Sequence, residues 1–277
     1  MNTTPPPARD LPPGRHAEIR AELDRATTGP SSVRAAPLVA AASVATLVVG
    51  LSLLVPWRVH DPGGPAGSTP AAGLSDLPPQ RVEAIEEGCA RSAGIPPTAK
   101  LHQYVEDAGG KYAVLYTADQ VLGCTVDGPR LPYDSGRRGV PALDWLPGPF
   151  SVDHLAGASG GDVPDAEDGD RGRSGWRAVT GRVGSNVVRV TFGYAGRTVD
   201  ATLRDGTYLA RIVFPPQWEL PHDGSRGEVR GYDAAGRELG TGADVERQCY
   251  TRPDGEVVYG GQVPPDRSRC VPAVPWP

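Results

Sequence analysis

The sequence predicts a single transmembrane helix plus an exported α+β, mainly β region, in which a small helix-plus-three-strand meander precedes an antiparallel β-sandwich. Three observations lead to this fold class. Residues 35–57 carry no charged side chain. Residues 78–127 join one helical pattern to three short strand patterns. Residues 176–248 alternate apolar and polar side chains with a period of two, which is typical of half-buried strands.

The apolar window 35–57 has the length of a membrane span, because about 20 helical residues cross the ~30 Å hydrocarbon core of a bilayer. Pro37 suits the first turn of a helix, and Trp57 suits the interfacial layer where the helix leaves the lipid. A cleaved secretory signal and a soluble core helix are the alternatives. The segment 1–34 is too long for the n-region of a signal.

Arginines flank this window unequally. Within about twenty residues, the range over which flanking charge sets orientation, only Arg58 follows the window, whereas four precede it: Arg15, Arg20, Arg25 and Arg34. The bias predicts a single-pass protein of the cell membrane, in contact with lipid, with its N-terminus in the cytoplasm and its C-terminal region extracytoplasmic. All four cysteines lie on the exported side, where disulfides persist.

The cytoplasmic tail, residues 1–34, contains proline runs around one short helical pattern over residues 16–26. Ile19 and Leu23 fall on one face of this helix, while its charged residues fall elsewhere. One interpretation is a solvated juxtamembrane helix that assists insertion. The other is a docking segment, in which Ile19 and Leu23 contact a cytoplasmic regulatory protein.

The segment "RDLPPGRHAEIRAEL" ahead of the span resembles the start of uncharacterised single-pass membrane proteins of high-GC Gram-positive bacteria, some of which are described as anti-sigma-factor-like. This resemblance implies a transmembrane sensor or regulator whose cytoplasmic helix contacts a partner. Zinc-binding anti-sigma domains need a cytoplasmic set of His and Cys ligands. This tail has no Cys and one His, His16, so the resemblance supports the topology more than it supports sigma-factor binding.

Residues 58–77 are rich in Gly, Pro, Ser and Ala and predict a flexible linker. The small α+β module over 78–127 begins with a helix that starts at two prolines and stops at Gly94. Three strand patterns follow, at 101–106, 111–117 and 121–126, separated by turn signals. Cys89 on the helix and Cys124 on the last strand could clamp the helix to the sheet.

Residues 128–175 predict an irregular acidic loop region. Within it "GASGG", Gly157 to Gly161, satisfies G-x-S-x-G and resembles the nucleophile segment of trypsin-like serine proteases, which would make Ser159 the nucleophile of a hydrolase. A nucleophile elbow needs a strand before Ser159 and a helix after it, and the sequence indicates neither. We therefore expect a flexible Gly/Ser linker here.

Residues 176–248 predict the β-sandwich. Tyr208, Ala210, Ile212 and Phe214 place apolar side chains at every second position, and Asp205-Gly206 is a strong hairpin signal. The pattern "GRVG…V…GYDAAGRELG" resembles the Ig-like β-domains of other exported bacterial proteins. The likeness lies in strand layout and carries over no functional residue.

Residues 249–277 predict a C-terminal hairpin closed by a disulfide, with its turn at Pro253-Asp254-Gly255. Four cysteines allow three pairings. Of these, local pairing of Cys89 with Cys124 and of Cys249 with Cys270 is the arrangement that we favour.

Composition and motifs limit the chemistry. The net charge of −5 and the lack of a basic run argue against nucleic-acid binding. The five histidines have no zinc-ligand spacing, and we predict no metal site, no cofactor and no catalytic residue. We expect a non-catalytic, membrane-anchored exported binding module that contacts an envelope component. The alternatives are the anti-sigma-like regulator and a serine hydrolase using Ser159.

Overall fold

Most of the described chain forms antiparallel sheets. A computed structural model describes residues 72–140, 142–260 and 266–276. The predicted cytoplasmic tail with Ile19 and Leu23, the apolar window and most of the linker lie outside these residues. No helix in the described ranges is long and apolar enough to cross a membrane.

The first sheet has five strands in sequence order, all antiparallel. They are β1 (Ala72–Gly73), β2 (Lys100–Asp107), β3 (Gly110–Tyr116), β4 (Gln120–Val126) and β5 (Tyr133–Gly139). The three predicted strands correspond to β2, β3 and β4. Two further strands, β1 and β5, extend the meander at its edges.

Helix α1 (Pro79–Ser92) covers one face of the first sheet. Its start at Pro79 agrees with the expectation that proline is tolerated in the first turn, and Gly94 beyond its end has φ +67°. Ile85 and Cys89 are fully buried against β3 and β4. The predicted bridge between Cys89 and Cys124 is confirmed, with 5.9 Å between the two Cα atoms.

Two four-stranded antiparallel sheets follow. The second sheet contains β7 (His154–Ala158), β8 (Gly175–Arg182), β11 (Thr202–Arg204) and β12 (Thr207–Phe214), in the order β11-β12-β8-β7. The third sheet contains β9 (Arg189–Tyr194), β10 (Arg197–Asp200), β13 (Glu228–Tyr232) and β14 (Glu238–Thr241), in the order β10-β9-β13-β14. Their shared core includes Phe150, Phe192 and Tyr208, each fully buried.

The alternation predicted for residues 208–214 is confirmed on one face of β12, where Tyr208, Ala210, Ile212 and Phe214 are all buried in that core. The opposite face differs from the prediction of half-buried strands. Leu209 is also buried, in a cluster with residues of β3, β4 and β8. The second sheet therefore packs between the third sheet and the first, and the region is a stack of one helix and three sheets.

The prediction of an irregular region over 128–175 is wrong for three stretches, which form strands. Tyr133–Gly139 forms β5, paired with β4 along its whole length. His154–Ala158 forms β7, paired with β8. A short strand β6 (Trp145–Leu146) also lies here, and Leu146 and Phe150 are fully buried.

The C-terminal segment folds back on the sheets. After the short helix α2 (Gly242–Arg247), the chain forms β15 (Tyr250–Thr251), β16 (Val257–Tyr259), β17 (Val271–Pro272) and β18 (Val274–Pro275). The predicted hairpin is the β15–β16 pair, and β18 pairs with β6. The predicted bridge between Cys249 and Cys270 is confirmed, with 4.4 Å between their Cα atoms.

Candidate functional site

A cleft of about 520 Å³ opens beside the first and second sheets. Its lining comes from the β4–β5 turn, from the segment that follows β7, from the segment that leads into β8, and from the loop after β12. The lining residues fall in the ranges 128–134, 158–166, 170–176 and 219–222, together with Thr125 of β4. Its volume lies within the range of small-molecule sites, roughly 300–1,000 Å³.

The wall on the first sheet is a fixed turn. Asp127 adopts φ +51° and its N–H donates to the Pro132 carbonyl at 2.8 Å, which closes the β4–β5 hairpin. Its carboxylate accepts hydrogen bonds from Lys111 at 2.8 Å and Arg81 at 2.6 Å. These donors, Lys111 foremost, lower the pKa of Asp127. The turn presents Leu131, which is 55% exposed, at the cleft.

The opposite wall, residues 159–162, is pinned to two neighbouring segments. The Gly160 N–H donates to the Trp218 carbonyl and the Gly161 N–H to the Arg173 carbonyl, each at 2.8 Å. A side chain on Gly161 would overlap the Asp170 carbonyl oxygen. The expected flexible Gly/Ser linker is therefore wrong. These glycines allow close backbone approach, and both are buried.

Ser159 has part of the context of a nucleophile elbow, because β7 ends immediately before it. The expectation that no strand precedes Ser159 is therefore wrong. The helix that should follow is replaced by turns. The Ser159 Oγ accepts the Leu220 N–H at 3.0 Å. His222 lines the same cleft, but in the described part of the chain the two side chains share no hydrogen bond.

An acyl-transfer site also needs free donors for an oxyanion. The two amides that follow Ser159, those of Gly160 and Gly161, already donate to carbonyls. In this geometry Ser159 anchors the loop after β12, and the arrangement provides no oxyanion hole at that position.

The cationic side chains of the cleft are neutralised within the chain. Arg130 forms ion pairs with Asp170 and, at 3.0 Å, with Glu167. Arg173 pairs with Asp170 at 2.8 Å. The hydrogen bond from Arg130 is the main reason that the pKa of Asp170 is lowered, with Arg173 acting in the same direction.

Three acidic side chains in the cleft have no such partner. Asp134, Asp165 and Glu219 are exposed, and among the described residues none of them forms an ion pair within 4.0 Å. The uncompensated charge of the cleft is therefore negative. None of these three residues is predicted from the sequence as a site residue. For Asp134 and Asp165 the available signal is the acidic character of residues 128–175, which predicts only an irregular loop region, and Glu219 lies outside that range.

A second polar cluster is buried between the sheets. The Arg182 side chain donates to both carboxylate oxygens of Asp153, from Nε at 2.9 Å and from Nη2 at 3.3 Å. The Tyr116 hydroxyl donates to the same carboxylate at 3.0 Å, and burial raises the pKa of Tyr116 well above its usual range. The ring of Trp276 covers the Arg182 guanidinium at 5.5 Å. This cluster ties β3, β8 and the C-terminal segment together and has little contact with solvent.

The predicted site residues fall into two groups. All four cysteines form bridges in the described structure, whereas Ile19 and Leu23 lie outside it. Within the described residues, no group of three or more His, Cys, Asp or Glu side chains is placed to hold a metal ion.

The chain matches no protein-family model, no curated protein and no solved structure. The function is therefore inferred from the geometry of the cleft and from the patterns in the sequence.

Proposed function

We propose that this protein is a membrane-anchored, exported binding module of the cell envelope, and that the cleft is its ligand site. The observation that carries the proposal is the cleft itself. Both of its walls are fixed by backbone hydrogen bonds, while Leu131, Asp134, Asp165 and Glu219 remain exposed. A preformed concavity with a few unpaired polar groups is what a binding site requires.

Two features support the exported location. The flanking arginines favour a cytoplasmic N-terminus, and two disulfides brace the region that follows the apolar window. Such bridges persist in oxidising compartments. The second and third sheets, two antiparallel layers around one core, also support the proposal that this part is an Ig-like sandwich.

A non-catalytic role is favoured by the state of Ser159. Its Oγ and the two following amides are engaged within the chain. A hydrolase that used Ser159 would have to break these hydrogen bonds before it could stabilise an oxyanion.

Topology is tested with reporters fused to the C-terminus, one active only outside the cytoplasm and one active only inside it. We expect activity from the first alone. Mass mapping under non-reducing conditions should find both bridges in protein taken from cells. A fluorescent cytosolic reporter, or free thiols, would contradict the exported location.

Binding is tested with a photo-cross-linking amino acid placed at Leu131 in intact cells. The matched control is Val188, which is 53% exposed and does not line the cleft. We expect a discrete cross-linked species from position 131 and none from 188. Equal labelling from both positions would remove the case for the cleft as a binding site.

The alternative function is a transmembrane regulator whose cytoplasmic helix contacts a partner such as a sigma factor. The apolar face of Ile19 and Leu23 in the sequence favours it. Replacing both residues with Ser should then abolish co-purification of the cytoplasmic partner. A partner that stays bound to the double variant would eliminate this function.

A further inference from the structure

We infer that the cleft binds an organic cation on an apolar stem, a group with the chemistry of a lysine or arginine side chain. This inference depends on the proposed function, since it names the ligand class of the same site.

The charge balance of the cleft selects the sign of the ligand. Arg130 and Arg173 are both engaged by Asp170, and Arg130 also by Glu167. An anionic ligand would have to displace these internal partners. Among the described residues, Asp165 and Glu219 form no ion pair within 4.0 Å, and Asp134 interacts with Arg130 only at longer range, so a cation gains attraction without breaking an existing ion pair.

The apolar part of the lining selects the form of the ligand. Leu131, Val163 and Pro164 line the same cleft as the free carboxylates, and Leu131 is one of the few large apolar side chains left exposed among the described residues. Lysine and arginine side chains lay their methylene stems on apolar surface while their charged ends reach polar groups. The cleft offers both contacts together.

Trp176 limits where the cation binds. The ring lines the cleft but is only 5% exposed, and it already holds the Arg211 guanidinium at 4.4 Å from its centroid. The ring is therefore committed to a cation of this chain. We place the charge of the ligand near the exposed carboxylates and its stem along the apolar wall.

The size and spacing of the site distinguish an organic cation from a metal ion. A cavity of about 520 Å³ is far larger than one ion needs. Within the described ranges the carboxylates do not form a group placed to coordinate a metal. A side chain with its flanking peptide groups fits the volume.

The test uses the full chain in detergent micelles with both disulfides intact. The probes are Nα-acetyl-lysine methylamide and Nα-acetyl-norleucine methylamide. They share a four-carbon apolar stem, and only the lysine probe carries a side-chain ammonium group. Ligand-observed NMR gives each Kd. We expect the lysine probe to bind at least about fivefold more tightly than the norleucine probe, and added salt to reduce this difference, because exposed charges are screened.

Two variants locate the effect. Asp165→Asn combined with Glu219→Gln should raise the Kd of the lysine probe by about fivefold and leave that of the norleucine probe unchanged. Glu83→Gln, an exposed carboxylate on α1 outside the cleft, is the matched control and should leave both values unchanged.

The outcomes separate this inference from the proposed function. Equal affinity for the two probes, or an unchanged Kd in the double variant, would overturn the cation specificity and leave a binding cleft. Absence of binding by either probe, together with cross-linking from position 131 in cells, would overturn the ligand class alone. Absence of both would overturn the ligand class and the proposed function together.

Discussion

Replacing Arg182 with Met should destabilise the fold more than any exposed charge substitution. The Arg182 and Asp153 side chains are 2% and 4% exposed. The guanidinium also donates to the Trp145 carbonyl at 2.9 Å and to the Leu143 carbonyl. Met retains much of the stem volume but removes every donor, so a buried carboxylate loses its countercharge. Removing one partner of a buried pair costs about 3–5 kcal/mol.

Chemical denaturation followed by near-UV circular dichroism measures this loss. Adding Asp153→Asn should recover about 1–3 kcal/mol, because a neutral amide costs less to bury than an unpaired carboxylate. The control is Arg189→Met. That residue is 50% exposed and pairs with Asp200 at 3.6 Å, so we expect a loss below about 1 kcal/mol. Equal losses for the two single variants, or additive losses at positions 182 and 153, would refute the reasoning.

Gly161→Ala should increase hydrogen exchange of the cleft amides, because the added Cβ would overlap the Asp170 carbonyl oxygen. Gly169→Ala is the control and should leave exchange unchanged, because no heavy atom lies within 4 Å of a Cβ added there. Equal exchange in the two variants would contradict the packing. A small dithiol should reduce the partly exposed Cys249–Cys270 bridge before the fully buried Cys89–Cys124 bridge. Alkylation at successive times followed by peptide mapping measures the order of reduction. The reverse order would contradict the difference in burial. The pKa of His154 is lowered below its usual value, and burial is the main cause. Since the unfolded side chain takes up a proton near pH 6.5, stability should fall as pH drops below about 6.5 towards the folded pKa. His154→Gln should reduce that slope in denaturation measured at several pH values, and an unchanged slope would refute the assignment.

The sequence predicted the elements whose signals are local. Helix α1 has prolines at its start and a glycine after its end, and β12 alternates strongly. The predicted ends of both elements therefore lie within one or two residues of those in the structure. The local pairing of the cysteines was also correct. In the structure the 89–124 bridge joins elements only 35 residues apart in sequence, and the 249–270 bridge spans 21.

Strands β5 and β7 could not be predicted, because their conformation comes from neighbours rather than from their own residues. The sequence of β5, "YDSGRRG", contains two glycines and no β-branched residue. Pairing with β4 from Gln120↔Gly139 to Val126↔Tyr133 holds it extended. Strand β7 is half-buried along its whole length and shows no alternation. Tertiary pairing overrides local propensity in both strands.

The cleft was beyond sequence reasoning for a related reason. Arg130 and Asp170 are 40 residues apart, and Ser159 meets Leu220 across 61 residues. Strand pairing within the second sheet brings Ser159 and Leu220 to one edge, because β7 and β12 both pair with β8. The stacking of the second sheet on the first then brings Arg130 to Asp170. The G-x-S-x-G spacing offers Ser159 as a nucleophile and its sequence context favours a flexible linker, whereas the contacts around Ser159 show an anchor for a loop.

This stacking also explains how a site built from loops can be rigid. Segments with little regular structure line the cleft, yet all four are held by the sheets. The first lies in the β4–β5 hairpin and the second follows the end of β7. The backbone bonds of Gly161 and Gly160 join this second segment to the segment before β8 and to the loop after β12. Mobile walls would have to be ordered when a ligand binds, at an entropic cost. Walls fixed in advance avoid that cost. A modest charge attraction at Asp165 and Glu219 can then appear as a measurable difference in affinity between two probes.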